Sequence, residues 1–185
     1  MKKIMFDDKY GLTKAVQEGR KTMTRRIVPD GTPLGNWDES VKMSHYKVGE
    51  VVAVAISYHT LNKMGYLAPE WLDHTCEDSA GYDNKMFVRA DLMPHQIRIT
   101  NVRVERLQDI SDEDCIREGI FKFNLRHERY AYTVRRKIDD DKTLVEFKPF
   151  DSPRDAFAAL INKISGKGTF ESNPYVFVYE FELVK

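Results

Sequence analysis

The segment QIRITNVRVERL, Gln96–Leu107, changes phase in its middle: Ile97 and Ile99 share one parity, Val102 and Val104 the other. A strand alternates its faces with period two, so the switch predicts a bulge or sharp bend, the device with which small barrels turn corners. Upstream, YKVGEVVAVAIS reads as a turn around Gly49 followed by a buried strand from Val51 to Ile56. At the far end, NPYVFVYEFELV places Tyr175, Phe177, Tyr179, Phe181 and Leu183 on one face of a strand.

Helices are few and short. GLTKAVQEG carries Leu12, Ala15 and Val16 at helical spacing, and Gly19 stands where a left-handed cap would stop it. In ISDEDCIREGI, Ser111 and Asp114 make a start resembling a capping box, Ile110 can staple against Cys115, and Gly119 ends the helix. In DSPRDAFAALINKISG, Ser152 is the cap, Pro153 the first helical residue, and Phe157, Leu160, Ile161 and Ile164 one apolar stripe. Two stretches fit less well. Tyr58–Lys85 is polar and irregular, with a helical turn at APEWLDH, and Phe121–Phe150 holds YAYTVRRKIDDDKTLVEF, a hairpin turning at Asp139–Lys142. These elements predict one α+β domain over 1–185: a small bent β-barrel flanked by short helices, with insertions at about 58–90 and 121–150.

Composition narrows the function classes. Lys+Arg and Asp+Glu are both 29, so any polyanionic partner must meet a local patch. The start, MKKIMFDDKYGL, lacks the apolar core of a signal peptide, and no run approaches a membrane span, which predicts a cytoplasmic protein. Cys76 and Cys115 then read as reduced thiols. His74 and Cys76 are two apart, while His45, His59, His95 and His127 are scattered, without the spacing of common zinc sites; no metal and no cofactor are expected. Phosphate-loop, dinucleotide and nucleophile-elbow motifs are absent.

The chemistry gathers in QEGRKTMTRR, Gln17–Arg26. A helix ending at Gly19 favours cations at Arg20 and Lys21, but this leaves Thr22, Thr24, Arg25 and Arg26 unexplained. Arginines with hydroxyls and turning amides make a receptor for phosphate or carboxylate oxygens. A lysine crowded by arginines has reason to lose its proton and activate a threonine hydroxyl. Glu118 sits at the helix end where the dipole disfavours a carboxylate, which marks it as a candidate general acid.

These motifs together resemble the ASCH domains of the PUA-like superfamily, in the version common in phages, prophages and gut bacteria. EGRKTMTRR looks like the family's GxKxxxR signature, filled by Gly19, Lys21 and Arg25, with a basic tail through Arg26. YKVGEVVAV is similar to its strand entry, RITNVRVERLQDISDEDCIREGI to its bent strand plus short helix ending in EGI, and FAALINKISG with NPYVFVYEFELV to its last helix and strand. The resemblance implies a PUA-like barrel with a cleft for RNA or a modified nucleoside. Some small bacterial members are amidohydrolases that deacetylate N4-acetylcytidine, and their pattern falls here on Lys21, Thr24, Arg26 and Glu118. It implies acyl transfer with Thr24 as nucleophile, Lys21 as base and Glu118 as acid, and with Arg20, Thr22, Arg25 and Arg26 holding substrate or RNA. Lys21 and Thr24 would face opposite sides of a regular strand, so a turn or bulge is needed at Thr22–Met23.

The chain is longer than those hydrolases, and Arg25 replaces an apolar residue. The 121–150 stretch adds Arg126, Arg129, Arg135, Arg136 and Lys137 beside Tyr130 and Tyr132, a mixture that suits single-stranded RNA, although Asp139–Asp141 offset much of the charge and favour a solvated hairpin instead. Three functions remain open: an amidohydrolase on an acylated nucleoside, a module that binds RNA or a modified base without turnover, and a nuclease-like or phage-defence activity.

Overall fold

The computed structural model describes residues 1–66, 77–124, 127–138 and 142–184. The helical turn expected at APEWLDH, with His74, Cys76, Arg126 and the hairpin tip at 139–141, lies outside them. The chain is α+β, with two sheets and six short helices among the described residues.

The larger sheet has five strands: β1 (Lys3–Ile4), β2 (Met23–Ile27), β3 (Val51–Val54), β4 (Gln96–Arg106) and β8 (Tyr175–Leu183), in the order β1-β3-β4-β8-β2. Only β1 with β3 is parallel. The phase change in β4 is a register shift against β8 between Ile99 and Asn101. At that break Gly49 N–H donates to the Ile99 carbonyl, and Ile99 N–H to the Glu50 carbonyl. Ile97, Ile99 and Val102 are therefore all buried despite their mixed parity. No ladder joins β1 to β2 among the described residues, so the sheet is open where a barrel would close. β8 departs from simple alternation: Val176, Phe177, Val178 and Tyr179 are all buried, because it lies between β4 and β2 with both faces covered.

The helices are α1 (Leu12–Gln17), α2 (Trp37–Lys42), α3 (Tyr58–Lys63), α4 (Asp112–Arg117), α5 (Pro153–Ile164) and α6 (Thr169–Ser172). Ser111 and Ser152 cap α4 and α5 through the backbone N–H of Asp114 and Asp155, as their sequences require. Phe157 and Leu160 of α5 enter the main core, whereas Ile164 stays exposed. The stretch from Tyr58 contributes to a second apolar cluster, in which Tyr58, Leu61, Val88 and Met93 pack on Ala53 and Ile56.

The 121–150 stretch is more than a hairpin. It forms a three-stranded sheet, β5 (Phe121–Asn124), β6 (Glu128–Lys137) and β7 (Thr143–Phe150), and Tyr132 and Val134 of β6 belong to the main core. Tyr132 stacks on Phe150 and meets Tyr10 edge-on, so it is not available to a base. Arg129 pairs with Asp151 and Arg136 with Glu146. Cys115 is a free thiol in the core, its pKa pushed up to about 12 by burial.

Gly119 closes α4 at φ 109° and is buried. A Cβ there would stand 3.0 Å from Leu12 Cδ2 and in a backbone region that L-residues rarely adopt. Gly119→Ala is expected to cost about 1–3 kcal/mol, read as a shift of the urea unfolding midpoint; an unchanged midpoint would show that the turn relaxes freely.

Candidate active site

Gly19, at φ 70°, turns the chain out of α1, and the Arg20 and Lys21 N–H groups both donate back to the Ala15 carbonyl. Thr22 is then fixed from two sides: its N–H donates to the Arg117 carbonyl at the end of α4, and its carbonyl accepts from Phe181 N–H of β8. The β2 ladder begins only at Met23. The turn that strand geometry demands between Lys21 and Thr24 is thus the hand-over from α1 to β2.

This places Lys21 inside. Its side chain is 2 % exposed, and Nζ donates to the Glu118 carbonyl at 2.7 Å and to Glu118 Oε2 at 2.6 Å. Glu118 is also buried and accepts at Oε1 from Arg25 Nη1 at 3.1 Å. Burial is the first cause holding the Lys21 ammonium below the ordinary lysine range; Glu118 opposes it, and Arg26 and Arg25 add smaller repulsions. The crowding by arginines read from sequence is present, but desolvation is the larger effect.

Arg25 has a different place from the one expected. Its side chain is fully buried, and every nitrogen is engaged: Nε and Nη2 on Glu105 Oε1, Nη2 on Asp114 Oδ2, Nη1 on Glu118 and on Met23 Sδ. No donor remains for a substrate, so Arg25 acts as the clamp on Glu118. Arg103 extends the network from Asp114 and Glu105 to Glu180, which also takes Arg117 at 2.7 Å. The sequence marks Asp114 only as a helix-capping residue and gives no sign of Glu105, Arg103 or Glu180; a buried arginine needs acids, but nothing local says which.

Thr24 is 1 % exposed, and its Oγ1 accepts from Arg26 Nη1 at 2.7 Å. Arg26 is further tied to the Arg25 and Met5 carbonyls and lies over the Phe6 ring. Lys21, Thr24, Arg25, Arg26 and Glu118 all line one cavity of about 430 Å³, whose remaining wall is largely apolar, with Leu107, Phe157, Leu160 and Ile161 in it. β2 is the outer strand of its sheet, so a cavity beside it meets side chains of both faces. Lys21 Nζ and Thr24 Oγ1 share this cavity without a hydrogen bond between them. Two predicted residues fall elsewhere. Arg20 is exposed and paired with Glu18, and Thr22 Oγ1 faces Arg117 Nε at 3.3 Å. Of the two threonines, only Thr24 lines the cavity.

Among the described residues no group of His, Cys, Asp and Glu is arranged to hold a metal ion, and no helix is long and apolar enough to cross a membrane.

Removing one member of a buried ion pair strands the other. Lys21→Met and Glu118→Gln should each cost about 3–5 kcal/mol, and the double variant should cost less than their sum by about 1–3 kcal/mol. Denaturant unfolding of the four proteins measures this directly, and strict additivity would mean that the pair is not coupled.

The chain matches no protein-family model, no curated protein and no solved structure, so its site is read from its own residues.

Proposed function

We propose that the chain is a PUA-like ASCH amidohydrolase that removes the acyl group from an acylated nucleoside such as N4-acetylcytidine. The observation that carries this reading is the buried Lys21–Glu118 pair at 2.6 Å, in one cavity with the Thr24 hydroxyl. The barrel belongs to the same reading, supported by the bend in β4.

Arg26 Nη1 fills one lone pair of Thr24 Oγ1, which leaves the hydroxyl proton to be given away. In the first step Oγ1 attacks the amide carbonyl and its proton passes to Lys21. Glu118, in contact with Lys21, relays a proton to the amine nitrogen as the C–N bond breaks, and the nucleoside base leaves as the free amine. The acyl group is then an ester of Thr24. Water, deprotonated by the same lysine, releases it as a carboxylic acid and restores the hydroxyl. Arg26 supplies positive charge beside the developing oxyanion. Arg25 touches no substrate in this scheme and holds Glu118 in place. The apolar wall of α5 would take the flat base or the acyl group.

A second reading rests on the closed Lys21–Glu118 contact, which is also what a purely structural pair looks like. In that reading the cavity holds a modified base and turns nothing over.

A hydrolysis assay separates the two. Wild type should release cytidine from N4-acetylcytidine, and Lys21→Ala, Thr24→Ala and Glu118→Gln should each lose at least about 100-fold in kcat/KM while keeping wild-type circular dichroism. A base works when deprotonated, and Lys21 is held below the ordinary lysine range, so kcat/KM should rise with pH along a limb lying below that range. Folded wild type that leaves N4-acetylcytidine and related acylated nucleosides intact would refute the hydrolase reading and leave the binding module.

A further inference from the structure

The wall of the candidate active site has a second side. Phe6, Asp7 and Leu12 line the first cavity, whereas Asp8, Lys9, Thr13 and Lys14 line another, of about 580 Å³. One stretch of chain, the turn into α1 and the helix itself, therefore separates the two. Across the second cavity stand α3, with His59, Thr60 and Lys63, and the paired ends of β6 and β7, with Arg135 and Thr143. The Arg135 N–H donates to the Lys9 carbonyl at 2.6 Å, which fixes β6 to the turn and sets the distance across the groove.

The charge of this groove is unbalanced. Three segments contribute Lys9, Lys14 and Arg135. Its two acids already have partners: Asp8 is paired with Lys85 and Asp83 with His59. Lys14 meets Glu18 at 3.6 Å with both side chains exposed, a pair worth little. Arg135 is half-buried, and among the described residues neither its guanidinium nor the Lys9 ammonium meets a carboxylate; Lys9 lies over the Tyr10 ring instead. The chain as a whole carries no net charge, so the surplus is local to this groove.

We propose that this groove holds the phosphate groups of a single-stranded nucleic acid, one nucleoside of which reaches over the α1 wall into the first cavity. The groove stands on its own lining; only the course of the strand into the first cavity rests on the amidohydrolase reading. Several spaced cations along a groove of this size suit successive phosphates better than one free anion. A concave lining with the Thr60 and Thr143 hydroxyls fits phosphate oxygens, and a flat bilayer surface does not enter it. A strand held this way would make the substrate an acylated base within RNA.

The test is fluorescence anisotropy of a short 5′-fluorescein oligouridylate over about 50–200 mM salt. Wild type should bind with a steep salt dependence. Arg135→Glu and the double variant Lys9→Glu/Lys14→Glu should weaken binding at least about tenfold and flatten the salt slope by about one for each phosphate no longer neutralised. Lys163→Glu, the same charge change at an α5 residue that lines neither cavity, should stay within about twofold of wild type. Thermal melts confirm that each variant is folded. The proposal is overturned if wild type fails to bind at the lowest salt, or if Lys163→Glu weakens binding as much as Arg135→Glu. It is also overturned if inorganic phosphate or phosphatidylserine vesicles bind in a way that depends on Arg135 while the oligonucleotide does not. Wild type that binds the strand through Arg135 yet leaves both free N4-acetylcytidine and an oligonucleotide carrying it intact supports the groove and sinks the hydrolase reading.

Discussion

A buried carboxylate governs this site. Glu118 is 5 % exposed and stands between two cations, Lys21 and Arg25, that come from the entry and the middle of β2. Its place at the C-terminal end of α4 is unfavourable to the helix dipole by about 0.3–1 kcal/mol. Breaking a buried pair costs about 3–5 kcal/mol, so the tertiary contact decides what residue stands there. The same contact locks the geometry around it. Arg25 can hold Glu118 only because Glu105 and Asp114 neutralise it, and these acids bring in Arg103 and, through Glu180, Arg117. Arg117 returns to Thr22 through its carbonyl and its guanidinium, closing a loop that fixes the turn before β2.

That turn is what makes the cavity chemically mixed. Within a covered sheet, residues three apart would point to opposite faces and never meet. Here Lys21 precedes the ladder, Thr24 lies within it, and β2 is an outer strand, so both reach one space beside the sheet edge. The interior strand β8 makes this possible. Its buried run from Val176 to Tyr179 fastens β2 on one side and the bent β4 on the other, and β4 carries Glu105 to the clamp. The bend in β4 therefore serves two purposes: it curves the sheet and changes which face its later residues present.

The network also explains why the basic residues of this stretch behave so differently from one another. Arg20 is solvated beside Glu18, Arg25 is spent inside the protein, and Arg26 borders the cavity with Thr24. Neighbours in sequence on a strand are on opposite faces, and a residue before the strand follows neither face. A run of cations is thus a set of separate environments, set by what packs against each.

The sequence alone determined the elements that depend on near neighbours: the phase break in β4, the glycine turns at Gly19 and Gly119, the serine caps of α4 and α5, and the gathering of lysine, threonine and arginine before and within β2. Each of these is a local rule of period, backbone conformation or capping. Only the tertiary structure decided that Arg25 is a clamp, that Thr22 lies off the cavity, that Tyr132 is core, and that the 121–150 stretch is a sheet built into that core. The places of Arg25 and Thr22 turn on contacts between residues about eighty to a hundred positions apart, such as Arg25 with Glu105 and Thr22 with Arg117. A buried charge demands a partner, but the chain between them carries no record of which one the fold will bring.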